Sequence, residues 1–97
     1  MSEAHSFTNI ATATTTTIRT GRGVLAGIVI NKAVASGVIT IYDNTAGSGT
    51  KIGTITSPAT LLHSHISLDF HDAAFTTGLT IVTAEAQDIT VLWAPRS

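Results

Sequence analysis

Charged residues make up only 11% of this 97-residue chain while hydrophobic ones reach 43%, against about 25% charged in an ordinary soluble domain. The net charge of −1 excludes the basic field that nucleic acid requires, and the absence of Cys excludes disulfides and thiolate chemistry. No apolar run approaches the ~20 residues that cross a bilayer, and the length is that of one domain.

The chain starts with MSEAHSFTNIAT, which lacks the basic head and apolar block of a signal peptide, so no signal peptide is expected. Only Phe7 and Ile10 are large apolar residues there. Residues 1–12 are therefore expected to form a flexible N-terminal arm, with Phe7 and Ile10 as its anchors on a partner, and residues 13–97 to form the folded domain. Thr is the commonest residue of the chain, and the run ATATTTTIRT suits a half-wet pleated surface. A strand is predicted over 13–20. GRG at 21–23 is a turn flanked by Arg19 and Arg22.

From Arg22 to Thr56 three apolar, β-branched runs are separated by loops rich in Gly, Ala, Ser, Asn and Thr. This pattern predicts an antiparallel meander. In the first run Val24, Ala26, Ile28 and Ile30 alternate with Leu25, Gly27 and Val29, so both faces are apolar and two-sided cover is expected. The third run stops at Ser57-Pro58, since Pro cannot donate to a ladder.

Residues 60–70 are the next extended piece, 71–78 a loop, 79–84 a strand and 88–94 the last strand. The predicted core comprises Ile28, Ile30, Ile39, Ile41, Ile55, Leu68, Phe70, Ile81, Val91 and Trp93. No stretch of helix length shows a 3.6-residue apolar period. The expected fold is all-β: a single-domain antiparallel β-sandwich or jelly roll of seven to eight short strands.

Few patterns carry chemistry. In LLHSHISLDFHD, period-two spacing places His63, His65, Ser67, Asp69 and His71 on one face. The favoured reading is a polar, solvent- or subunit-facing strand. A pH-sensitive interface stripe and a metal site are its alternatives, and neither a metal nor a cofactor is assigned. No nucleophile elbow is present, and GRG and AGSG are too short for phosphate loops. Trp93 and Tyr42 are read as buried or interfacial anchors ahead of a sugar-stacking platform. Low charge and two-sided strands point to homo-oligomerisation.

The string TTTTIRTGRGVLAGIVINKAVASGVITIYDNTAGSGTKIGTIT, followed by FTTGLTIVTAEAQDITVLW, resembles a group of small virion structural proteins of tailed bacteriophages. The matching positions are Gly21, Gly23, Leu25, Ile28, Ile30, Asn31, Tyr42, Asp43, Asn44, Phe75, Gly78 and Leu79. The resemblance covers residues 14–93 and consists of turns and core positions; the His stripe is not part of it. It implies a non-enzymatic capsid decoration, or cement, protein. Such a protein is usually a trimer, binds the major capsid protein on the outer head surface and stabilises the shell, with no nucleic-acid or membrane partner. Made in the host cytoplasm, it would reside in the virion, with Phe7, Ile10, Arg19 and Arg22 as expected partner contacts. The alternatives are a tail- or fibre-associated host-contact or carbohydrate-binding module, and a small cupin-like His-metal enzyme.

Overall fold

β-Branched runs bounded by Gly, Asn and Ser turns fold here into strands throughout. The computed structural model describes residues 5–56 and 66–96. Among them the strands are β1 (Ser6–Ile10), β2 (Thr14–Thr20), β3 (Gly23–Lys32), β4 (Val38–Asp43), β5 (Thr50–Thr56), β6 (Ile66–Phe75), β7 (Gly78–Thr83) and β8 (Asp88–Pro95), with no helix. They form two four-stranded antiparallel sheets, ordered β1-β8-β3-β6 and β2-β7-β4-β5. Consecutive strands alternate between the sheets except for the β4–β5 hairpin. This is the strand order of a jelly roll.

The expected meander is therefore corrected. β3 and β4 lie in different sheets, and the connection at residues 33–37 crosses the sandwich instead of closing a hairpin. Apolar runs joined by a short polar loop read the same in sequence whether they pair in one sheet or face each other across two.

The core lies between the sheets. Ile10, Leu25, Ile28, Ile30, Phe75, Ile89 and Val91 come from the first sheet, and Ile39, Ile41, Leu79 and Ile81 from the second; Ile55, Leu68, Phe70 and Trp93 are partly buried against them. Of the ten predicted core residues, Ile28, Ile30, Ile39, Ile41, Ile81 and Val91 are in the buried cluster, and Ile55, Leu68, Phe70 and Trp93 are half-buried against it. Each fully buried Ile, Leu or Phe contributes about 1.5–3 kcal/mol.

Two irregularities decide which residues reach the core. In β3 the register against β8 shifts between Leu25 and Gly27. This β-bulge resets the alternation, so Leu25 faces inward with Ile28 and Ile30. Strict alternation had put Leu25 on the opposite face. Opposite the same point, β6 takes three residues, Phe70 to Asp72, against Ala26 alone. His71 and Asp72 adopt positive φ there, at 52° and 54°. Gly27 occupies the crowded spot, because a Cβ on it would lie 2.5 Å from the Leu68 carbonyl oxygen. β6 continues through this kink to Phe75, where a loop over 71–78 was expected.

The N-terminal arm is also corrected. Ser6–Ile10 is an edge strand of the first sheet, in register with β8 from Ser6↔Trp93 to Ile10↔Ile89. Ile10 is 5% exposed, and the Trp93 indole Nε1 donates to the Thr8 hydroxyl at 3.2 Å. A strand needs only every second residue on the dry side, so one buried Ile and a Thr facing an indole suffice.

Candidate functional site

The outer faces of the two sheets differ. On the second sheet the β4–β5 loop folds back over β2 and β7. The Thr17 hydroxyl donates to the Thr45 carbonyl at 3.1 Å, the Thr80 hydroxyl donates to the Asn44 carbonyl at 2.7 Å, and Gly47 packs against Val82 and Thr15. Thr80 is fully buried as a result.

This loop is itself anchored by Asp43. Its carboxylate accepts the backbone N–H groups of Thr76, Thr77 and Gly78 and the Thr76 hydroxyl, at 2.8–3.3 Å. Burial pushes the Asp43 carboxyl up, but the N–H groups of Thr77, Thr76 and Gly78, with the Thr76 hydroxyl, outweigh it. They hold the group below its ordinary value.

The middle of the first sheet's outer face has no comparable cover among the described residues. Ladder partners point to the same side, so Phe7, Leu92 and Gly27 form one outward row across β1, β8 and β3. Phe7 is 73% exposed, the one large apolar side chain in that state among the described residues. Beside it lies a shallow depression of about 300 Å³, lined by Ala26, Gly27, Val29, Leu92 and, on its polar rim, Ser67 and Asp69. The missing side chain at Gly27 makes this hollow next to Leu92.

One end of this face is polar and fixed. Asn9 Nδ2 donates to Asp88 Oδ1 at 2.7 Å and to the Ile89 carbonyl at 2.9 Å, while Asn31 Nδ2 donates to Thr90 Oγ1 at 3.1 Å. These bonds pin β1, β8 and β3 together. The other end is basic. Arg22 is exposed, and its carbonyl accepts both the Arg19 side-chain Nε at 3.3 Å and the Arg96 backbone N–H at 3.0 Å. The sequence-predicted pair Arg19 and Arg22 is thus joined by Arg96, 74 residues further on (96 − 22). No sequence signal links them; the pairing of β3 with β8 does.

The other predicted site residues fare differently. Phe7 is exposed. Ile10 is not, because its side chain fills the domain's own core. His63 and His65 lie outside the described residues. Of the rest of the His stripe, Ser67 and Asp69 are exposed, but extended geometry ends at Phe70, so the period-two relation does not carry to His71. His71 Nδ1 sits 3.4 Å from Asp69 Oδ2, and His5 Nε2 lies 3.1 Å from Asp72 Oδ1, joining the two edges of the first sheet. Among the described residues no three His, Asp or Glu side chains are grouped to hold a metal. Trp93 is partly buried against the core from the first sheet, whereas Tyr42 belongs to the second.

The outer face of the first sheet of this jelly roll thus carries an apolar row, exposed at Phe7 and half-buried at Leu92, with a polar and a basic end. Comparison with family models, with characterised proteins and with solved structures finds no match to this chain.

Proposed function

We propose that this chain is a non-enzymatic assembly module of a virion, a decoration protein on the head of a tailed phage. In this reading copies made in the host cytoplasm self-associate, as a trimer, and seat on the outer head surface against the major capsid protein. The observation that carries it is the exposed Phe7 next to the half-buried Leu92 and the Gly27 hollow. A small domain leaves such a row open at a cost in solubility unless a partner covers it. Low charge argues in the same direction, since only 11% of the residues are charged and little repulsion opposes association. The resemblance of residues 14–93 to phage virion proteins supplies the identity of the partner. The loop over β2 and β7 favours the first sheet as the contact face.

Sedimentation of the purified protein and co-sedimentation with phage heads lacking it test the reading together. The expected result is a trimer that pellets with the heads, and a Phe7→Ser variant that fails to associate while remaining folded. A wild-type protein that stays monomeric at micromolar concentration and remains in the supernatant would overturn the proposal.

A further inference from the structure

The basic end holds a second, distinct feature. Arg22 and Arg96 line a recess of about 290 Å³ together with Val24, Ala74, Phe75 and Thr76. We propose that this recess seats a carboxylate of a protein partner, an Asp or Glu side chain or a chain terminus.

Three observations support the assignment. First, the backbone beside the recess is fixed: the Arg22 carbonyl accepts the Arg96 backbone N–H and the Arg19 side-chain Nε, and Arg96 Nη1 donates to the Pro95 carbonyl at 3.1 Å. Such anchoring lowers the ordering cost of binding. Second, most of the chain's cationic side chains gather at this end. Arg19, Arg22, Lys51 and Arg96, four of the five Lys and Arg residues, lie at the end formed by the β2–β3, β4–β5 and β6–β7 turns and the end of β8. Lys32 stands at the opposite end, in register with Asp88. Carboxylates on the flanking segments are engaged elsewhere. Asp43 accepts bonds from Thr76, Thr77 and Gly78, and Asp72 pairs with His5. Among the described residues no carboxylate forms an ion pair with Arg19 or Arg22.

Third, the shape and lining select the ligand. A guanidinium binds a carboxylate through two parallel N–H···O bonds, and the apolar walls suit the short stem behind the carboxylate. Nucleic acid would need a long basic track with stacking aromatics, whereas this recess is lined by two arginines only and belongs to a chain of net charge −1. The recess stands on its own geometry; that its carboxylate belongs to the viral shell rests on the decoration reading.

An acetylated hexaglutamate peptide titrated into the intact isotope-labelled protein at low salt provides the test, with hexaglutamine amide as the neutral control. Expected are saturable amide shifts at Val24, Ala74 and Thr76, lost at high salt and absent with hexaglutamine. Arg22→Ala and Arg96→Ala should each weaken binding about tenfold or more, the scale of a lost charge-assisted bond. Lys32→Ala at the far end should leave it unchanged. Arg22→Lys, which keeps the charge but not the fork, should fall between wild type and Arg22→Ala and serves if the alanine variant is poorly folded. No shifts, or unchanged affinity in the arginine variants, would overturn the proposal. So would a DNA oligonucleotide of equal charge binding as tightly through the same arginines, which would reassign the recess to phosphate. Peptide binding by a protein absent from particles would remove the decoration reading alone; a silent recess on a protein found on particles would remove this inference alone.

Discussion

Phe7 and Ile10 lie three residues apart on β1 and point to opposite sides of it, so truncating each to alanine should produce opposite defects. Ile10 is 5% exposed and pairs with the fully buried Ile89. An Ile→Ala change in a core costs about 2–5 kcal/mol. β1 is an edge strand, free on one side to close over the gap, which places Ile10→Ala in the lower half of that range, about 2–3 kcal/mol. For a domain of this size each kcal/mol moves Tm by roughly 4–8 °C, so a drop of about 10–20 °C is expected. Phe7, 73% exposed, is a surface position whose truncation should change stability by no more than about 0.5 kcal/mol. Urea unfolding followed by the fluorescence of Trp93, the one tryptophan, measures both. Samples should be dilute and equal in concentration, because association adds to apparent stability. Sedimentation then reports self-association, which Phe7→Ala should weaken. If Ile10→Ala melts with the wild type, β1 does not contribute to the core and the N-terminal segment is an arm after all. If Phe7→Ala unfolds the domain, the outer row is structural and not a contact surface.

Gly27→Ala should destabilise by on the order of 2 kcal/mol or more, since its Cβ would meet the Leu68 carbonyl, a backbone atom, at 2.5 Å; thermal melting against a Val29→Ala control checks this. Asp43 gives a pH dependence. Its folded-state pKa lies below the unfolded value, so the unfolded chain binds the proton more readily as acid is added. Its stabilisation is complete above the unfolded value, about 3.9, and is lost as pH falls through the folded one. Urea midpoints from pH 6 to pH 2 should therefore decline less steeply in Asp43→Asn than in wild type; parallel declines would show that the cradle around Asp43 contributes nothing.

Much of the architecture was legible because β-branched runs and Gly, Asn and Ser turns are local signals. The strands over 14–20, 78–83 and 88–95 and the inward Ile39, Ile41 and Ile81 follow from them. What escaped was non-local or ambiguous in parity. Leu25 and Val24 are both buried, at 0% and 7%, so apolar character alone does not say which faces the core; the bulge before Gly27 does. β1 was hidden by Thr8 and Asn9, whose partners, the Trp93 indole and Asp88, lie about eighty residues away in sequence. The site was half legible. Phe7 stood out as an aromatic in a polar segment, and Arg19 and Arg22 as charges flanking a turn. Arg96 and the Gly27 hollow exist only once β8 and β6 lie on either side of β3.

The central claim is that this chain coats a particle through the outer face of its first sheet. Image reconstruction of the purified virion tests it most directly. The jelly roll should be present in many symmetric copies on the head, with Phe7, Leu92 and the Gly27 hollow buried against a neighbouring subunit or the shell. A virion without the protein, or with a few copies confined to the tail and that face open to solvent, would contradict it.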